Sequence, residues 1–294
     1  MALLRINASG GRPVTAENGN PNAALDAYLA RLPHRAPLVI FTHGLRHSPF
    51  GNGIDPHVGL LSAVTSYDRH WKARSLVRGL HMGAHQRLAG HAIAFGWDGA
   101  GLIWAALDRA CLAGLALARL MMAIRQARPD LRLGVLTHSL GARVVLEAMI
   151  RAPAPVFDRV LLLTPADHRA RARQALSAPG GRSTSVLAVQ TRENWLCAVG
   201  FAAASFGRPT LAFGPDCPGW LDVVPERLAR HMGRRIGPAR SLACHWSCYL
   251  RPGLWPIYRD WLTGGLSLST LRAADTPPDL RAPPMGPNVA GHAI

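Results

Sequence analysis

The apolar positions of this chain fall into short continuous blocks separated by longer runs of helical period. Pro37-Leu38-Val39-Ile40-Phe41 is the first block, and it ends in Thr42-His43-Gly44. Ala92 to Phe95 ends in Gly96-Trp97-Asp98-Gly99, and Leu131 to Thr137 runs into His138-Ser139-Leu140-Gly141. Val160 to Leu163 ends in Thr164-Pro165-Ala166-Asp167, and Ser185 to Gln190 in Thr191-Arg192-Glu193-Asn194. Blocks this short, apolar throughout rather than alternating, predict strands covered on both faces. Helical spacing lies between them: Leu25, Tyr28, Leu29 and Leu32, then the Ala-, Leu- and Met-rich run Leu102 to Arg128, then Val144, Val145, Ala148 and Met149 directly after Gly141. Strands alternating with helices predict an α/β fold, a mostly parallel central sheet with helices on both faces. In such sheets the chemistry gathers beyond the carboxyl ends of the strands, where each polar cluster named above falls.

Outside that pattern the chain reads differently. Residues 1–20, with Gly10-Gly11, Pro13 and Asn18-Gly19-Asn20, read as an N-terminal tail, and residues 21–265 as one domain. Two segments, 46–91 and 196–242, read as a lid or peripheral insertions; the second holds a short candidate strand at Thr210 to Phe213 and an arginine-rich helix around Glu226 to Arg235. Residues 266–294, with Pro277, Pro278, Pro283, Pro284 and Pro287, read as a proline-rich tail.

The net charge of +16 raises nucleic acid or an anionic surface as a partner, but 32 of the 33 basic residues are arginines scattered along the chain, so no nucleic-acid partner is expected. Five cysteines without a repeated spacing argue against a disulfide framework and fit a reducing compartment. Cys244-His245-Trp246-Ser247-Cys248 has no second ligand pair, so no metal and no cofactor is expected. The longest mainly apolar stretch free of charge, Trp195 to Gly207, is 13 residues, short of the roughly 20 a membrane span needs. No secretory signal opens the chain, and a cytoplasmic location is expected. Oligomeric state has no signature in the sequence.

The chemistry centres on Thr137-His138-Ser139-Leu140-Gly141. A serine between a strand and a helix sits on a strained elbow with its hydroxyl exposed above the sheet, and a small residue two positions on lets helix and strand approach. Thr137 stands where a glycine is usual. The bland alternative is that Ser139 only begins a helix. With His43-Gly44 after an early strand, 95 residues before Ser139, an acid after a later strand and a histidine near the end, the sequence from about Leu38 to Leu262 resembles the α/β-hydrolase superfamily.

That resemblance implies the α/β-hydrolase fold and a Ser-His-acid triad in chain order. The nucleophile maps to Ser139, and the oxyanion donors to the backbone N–H groups of Leu45 and Leu140. Four histidines follow Ser139. His292 lies in the proline-rich tail, His231 on the arginine-rich helix, and His168 precedes the fifth strand, which leaves His245 as the base. The acid is open: Glu193 occupies the usual site after the penultimate strand, Asp167 is the alternative, and Asp216 or Asp222 follow. Asp would be common just past Glu193, where this chain has Asn194. His138 reads as packing beside the nucleophile. The implied reaction is cleavage of a small acyl ester or thioester through an acyl-serine intermediate; the alternative is a binding or scaffold protein on the same fold with a lapsed site.

Overall fold

A computed structural model describes residues 3–17, 19–64, 74–82, 90–212, 214–215 and 217–275. Its strands are β1 (Leu4–Ser9), β2 (Arg12–Thr15), β3 (Pro37–Thr42), β4 (His91–Gly96), β5 (Arg132–His138), β6 (Arg159–Leu163), β7 (Ser185–Val189) and β8 (Trp220–Val223). They form one sheet in the order β2-β1-β4-β3-β5-β6-β7-β8, parallel throughout except for the β1–β2 pair. The helices are α1 (Pro21–Leu29), α2 (Leu76–Gly79), α3 (Ile103–Ala127), α4 (Gly141–Arg151), α5 (Arg169–Ser177), α6 (Trp195–Ala204), α7 (Pro225–His231), α8 (Ser247–Leu250), α9 (Leu254–Thr263) and α10 (Leu268–Asp275). This is the architecture of the α/β-hydrolase fold.

The five apolar blocks are the five central strands, and the reason for their continuity is visible in the packing. Leu38 and Ile40 of β3 point into one core with Val144, Val145 and Met121 of the helices, while Val39 and Phe41 point into a second core with Tyr258, Trp261 and Leu254. Leu133 and Val135 of β5 join the first core, and Leu136 joins the second. Each side chain so buried contributes about 1.5–3 kcal/mol, so neither face of the sheet can be polar.

Three expectations are corrected. Residues 1–20 are not a tail, because Leu4–Ser9 pairs parallel with β4 and turns back at Gly10-Gly11, both with positive φ, into β2. Ile6 and Ala8 are buried on one face of that strand, a period-two signal with polar Arg5 and Asn7 between its apolar residues rather than a continuous apolar block. The second segment, 196–242, is not wholly peripheral, since it contains β8. Of its candidate strand, Thr210 makes only an isolated bridge with His168, and Phe213 lies outside the described residues. At the other end, α10 packs Leu271 into the second core, so the folded domain runs past residue 265; residues 276–294 lie outside the described set.

Register places the site. Thr42 of β3 is level with Thr137 of β5, and His138 of β5 with Leu163 of β6. The turns that follow these three parallel strands therefore emerge side by side at the carboxyl end of the sheet.

Candidate active site

Ser139 follows β5 and has φ 58°, a left-handed backbone that costs a non-glycine residue about 1–3 kcal/mol. The surroundings hold it there. Its N–H donates to Leu163 O at 2.9 Å, and its carbonyl accepts from Ala142 N and Ala166 N, each at 3.1 Å. Two glycines make room. A Cβ on Gly44 would lie 2.9 Å from Ser139 Cβ and 2.8 Å from His138 O. One on Gly141 would meet Thr137 Oγ1 at 2.0 Å and His43 O at 2.4 Å, so the threonine that departs from the usual pattern is accommodated by the glycine of the next turn.

The His43-Gly44 turn is braced from below. The His43 ring is fully buried and stacks on Trp97 at 5.3 Å with an interplanar angle of 4°. Its Nδ1–H donates to Gly44 O at 3.0 Å, and its Nε2 accepts from Trp97 N at 3.0 Å. Those partners fix one neutral tautomer, and burial pushes the imidazole well below its ordinary range. Beyond the turn, Leu45 and Leu140 both line the same cavity as Ser139, and the backbone N–H of neither donates a hydrogen bond among the described residues.

That cavity, about 430 Å³, is mostly apolar, with Ile103, Pro165, Ala166, Ala198 and Phe201 among its walls and His245, Asn194 and Gln190 among its polar groups. Ser139 and His245 face into it without a hydrogen bond between them. Such contacts are commonly long before substrate binds. His245 lies in the loop between α7 and α8, beyond the last strand. Its backbone is anchored at its carbonyl, which accepts from His138 Nε2–H at 3.1 Å and from Thr164 Oγ1 at 3.5 Å. The His138 ring also packs against the His245 ring with centroids 4.4 Å apart. His138 is thus more than filler beside the nucleophile, because it holds the loop that carries the other imidazole.

The acid is where the structure departs from expectation. His245 Nδ1–H donates to Asn194 Oδ1 at 2.6 Å. Glu193, the preceding residue of the same short turn, reaches the loop only through its backbone, its carbonyl accepting from Cys244 N at 2.7 Å. Its carboxylate points away, 3.8 Å from the Arg251 guanidinium, which also pairs with Glu226. Asp167 is fully buried as the counter-ion of Arg143, bonded through Nε at 3.0 Å and Nη2 at 2.6 Å, and it accepts from His168 N at 2.7 Å. Asp222 accepts from Trp220 Nε1 at 2.9 Å on β8, and Asp216 lies outside the described residues. None of the described carboxylates contacts His245. His168, the other strand-end histidine, is engaged with Ser205 Oγ at 3.1 Å and Arg143 Nη2 at 3.2 Å.

An amide oxygen and a carboxylate do different things for an imidazole. Asn194 Oδ1 fixes the proton on Nδ1 and leaves the Nε2 lone pair free, as a carboxylate would, but it brings no charge to stabilise the cation. Burial therefore acts unopposed and pushes His245 down to about 4, so the ring is a neutral base across the physiological range. Asn194 was legible only as a residue standing one place past the expected acid. No grouping of three or more His, Cys, Asp or Glu side chains among the described residues is arranged to hold a metal.

No protein-family model matches the sequence, and no curated protein matches it. Among solved structures the chain is similar to the acylaminoacyl peptidase of Pyrococcus horikoshii, at 10% identity and a TM-score of 0.34, over 66% of this chain and 33% of the peptidase, so that it spans about a third of that protein's length.

Proposed function

We propose that the protein is a serine hydrolase that cleaves a carboxylic ester or thioester through an acyl-serine intermediate, with Ser139, His245 and Asn194 as its triad. The observation that carries this reading is a serine in left-handed conformation opening into the same cavity as an imidazole whose Nδ1–H is tied 2.6 Å from an amide oxygen. Ser139 Oγ attacks the carbonyl carbon as its proton passes to His245 Nε2. The Leu45 and Leu140 N–H groups take the oxyanion, a contribution worth about 3–4 kcal/mol per donor in the transition state. His245 then returns the proton to the leaving alcohol or thiol, and water repeats the sequence on the acyl-enzyme.

One observation favours the second reading, a binding protein on this fold: no carboxylate among the described residues stabilises the His245 cation. Labelling with a fluorophosphonate separates the two. Adduct on Ser139 in the wild type and none in Ser139→Ala, with turnover of short-chain p-nitrophenyl esters falling about 10⁴-fold in the variant, is the result expected of the enzyme. Well-folded protein without adduct or turnover would instead be the binding protein.

A further inference from the structure

An α-helix apolar all round is ordinarily buried. The sequence of α6, Trp195-Leu196-Cys197-Ala198-Val199-Gly200-Phe201-Ala202-Ala203-Ala204, has no charged residue, yet Phe201 is its one buried side chain. Trp195, Leu196 and Val199, spaced i, i+1 and i+4, share a face and are 53%, 53% and 61% exposed. Phe206, just beyond the helix, is 81% exposed and stacks on Trp104 of α3 at 6.4 Å, while Trp104 Nε1 donates to Ala204 O at 3.2 Å. Exposed Ala202 and Ala203 lie between Val199 and Phe206, so exposed apolar positions follow one another from Trp195 to Phe206 and Trp104. Patches of this kind on a chain in water mark a docking surface.

The charge around it selects the occupant. From Trp195 to Pro215 the sequence has no Asp or Glu. Exposed Arg192 precedes α6, exposed Arg208 follows it, and exposed Arg46 lines the cavity beside Cys197. None of these three is in an ion pair among the described residues. A second copy of the chain seated here would set arginine against arginine on a molecule already at +16. A single-stranded nucleic acid would stack on the aromatic rings but leave the aliphatic Leu196 and Val199 bare. Tryptophan and arginine around aliphatic side chains are what a headgroup layer accepts, with the rings at the level of the esters and the cations on the phosphates. With 10 residues, α6 is about 15 Å long and can lie in the interface but not cross it.

We propose that α6, with Phe206 and Trp104, docks the protein onto an anionic membrane surface. Ala198 and Phe201, on the opposite face of the same helix, line the cavity, so docking would leave α6 as the layer between the lipid and the cavity. The inference stands whether or not Ser139 is a nucleophile.

Sedimentation of the full chain with vesicles of phosphatidylglycerol and phosphatidylcholine, and with phosphatidylcholine alone, tests it. Binding to the anionic vesicles is expected, weakened by salt and on the order of tenfold or more weaker on phosphatidylcholine, about fivefold for each arginine near the surface. Val199→Asp and Phe206→Ser should each lower it about tenfold with the thermal melt unchanged, and Arg192→Glu with Arg208→Glu should lower it on anionic vesicles only. No binding to anionic vesicles would overturn the proposal, as would binding that Val199→Asp leaves intact. A dimer in light scattering that Val199→Asp dissociates would assign the surface to a second copy instead.

Discussion

The two halves of the candidate site are built in different ways. On the Ser139 side, position is imposed by backbone: a left-handed serine, two glycines whose Cβ atoms would collide with neighbours, strands level in register and a buried His43–Trp97 stack beneath. On the His245 side it is imposed by side chains reaching across loops, with Asn194 on Nδ1, and His138 and Thr164 on the carbonyl. Backbone constraints limit which residues can occupy a position and so leave a motif. Side-chain contacts between distant loops leave only a composition.

If the first half is rigid and the second tunable, substitutions should divide accordingly. The largest effect is expected at Asp167→Asn, which leaves Arg143 charged and buried without its partner; a loss of about 3–5 kcal/mol in denaturant unfolding is expected, with the denaturant slope unchanged. Gly141→Ala comes next, at about 3 kcal/mol by the same measurement, since a methyl group cannot fit 2.0 Å from Thr137 Oγ1 and 2.4 Å from His43 O. A Thr137→Gly change in that background should recover part of the loss, because it removes the nearer clash.

On the tunable side the effects fall on rate instead. Asn194→Ala should lower turnover on the order of 10²-fold with stability nearly unchanged, because the imidazole loses its tautomer and its aim. On the proposed mechanism the base works when neutral, so a pH–rate profile of the wild type should lose activity only as pH falls through about 4. The smallest effect is expected at Glu193→Gln, within about threefold in turnover, since that carboxylate faces Arg251 and not His245. A large loss at Glu193 with little at Asn194 would reverse the assignment of the third member.

Much of this was legible in the sequence. The five central strands announced themselves because burial on both faces demands continuous apolar blocks, and the elbow because only small residues fit around Ser139. His245 was reached through its place between the last strand and the closing helices. The residue that meets His245 Nδ1 was not, because Glu193 and Asn194 are adjacent in one short turn and only the direction of each side chain separates them. Charge alone favoured glutamate. The outer strands were missed for a related reason: Leu4–Ser9 sets polar Arg5 and Asn7 between its apolar residues, Arg12–Thr15 and Trp220–Val223 have four residues each, and pairing with an existing sheet, rather than their own composition, makes them strands.

The central claim is that Asn194 holds the His245 tautomer without adding charge, so that burial alone sets its basicity, and that His245 activates Ser139. The rate of fluorophosphonate labelling at Ser139 against pH, in wild type and Asn194→Asp, tests it without any knowledge of the natural substrate. A carboxylate beside Nδ1 favours the cation, so the acid limb should move from near pH 4 in the wild type to about pH 5–7 in the variant. An acid limb at the same pH in both proteins would contradict the account.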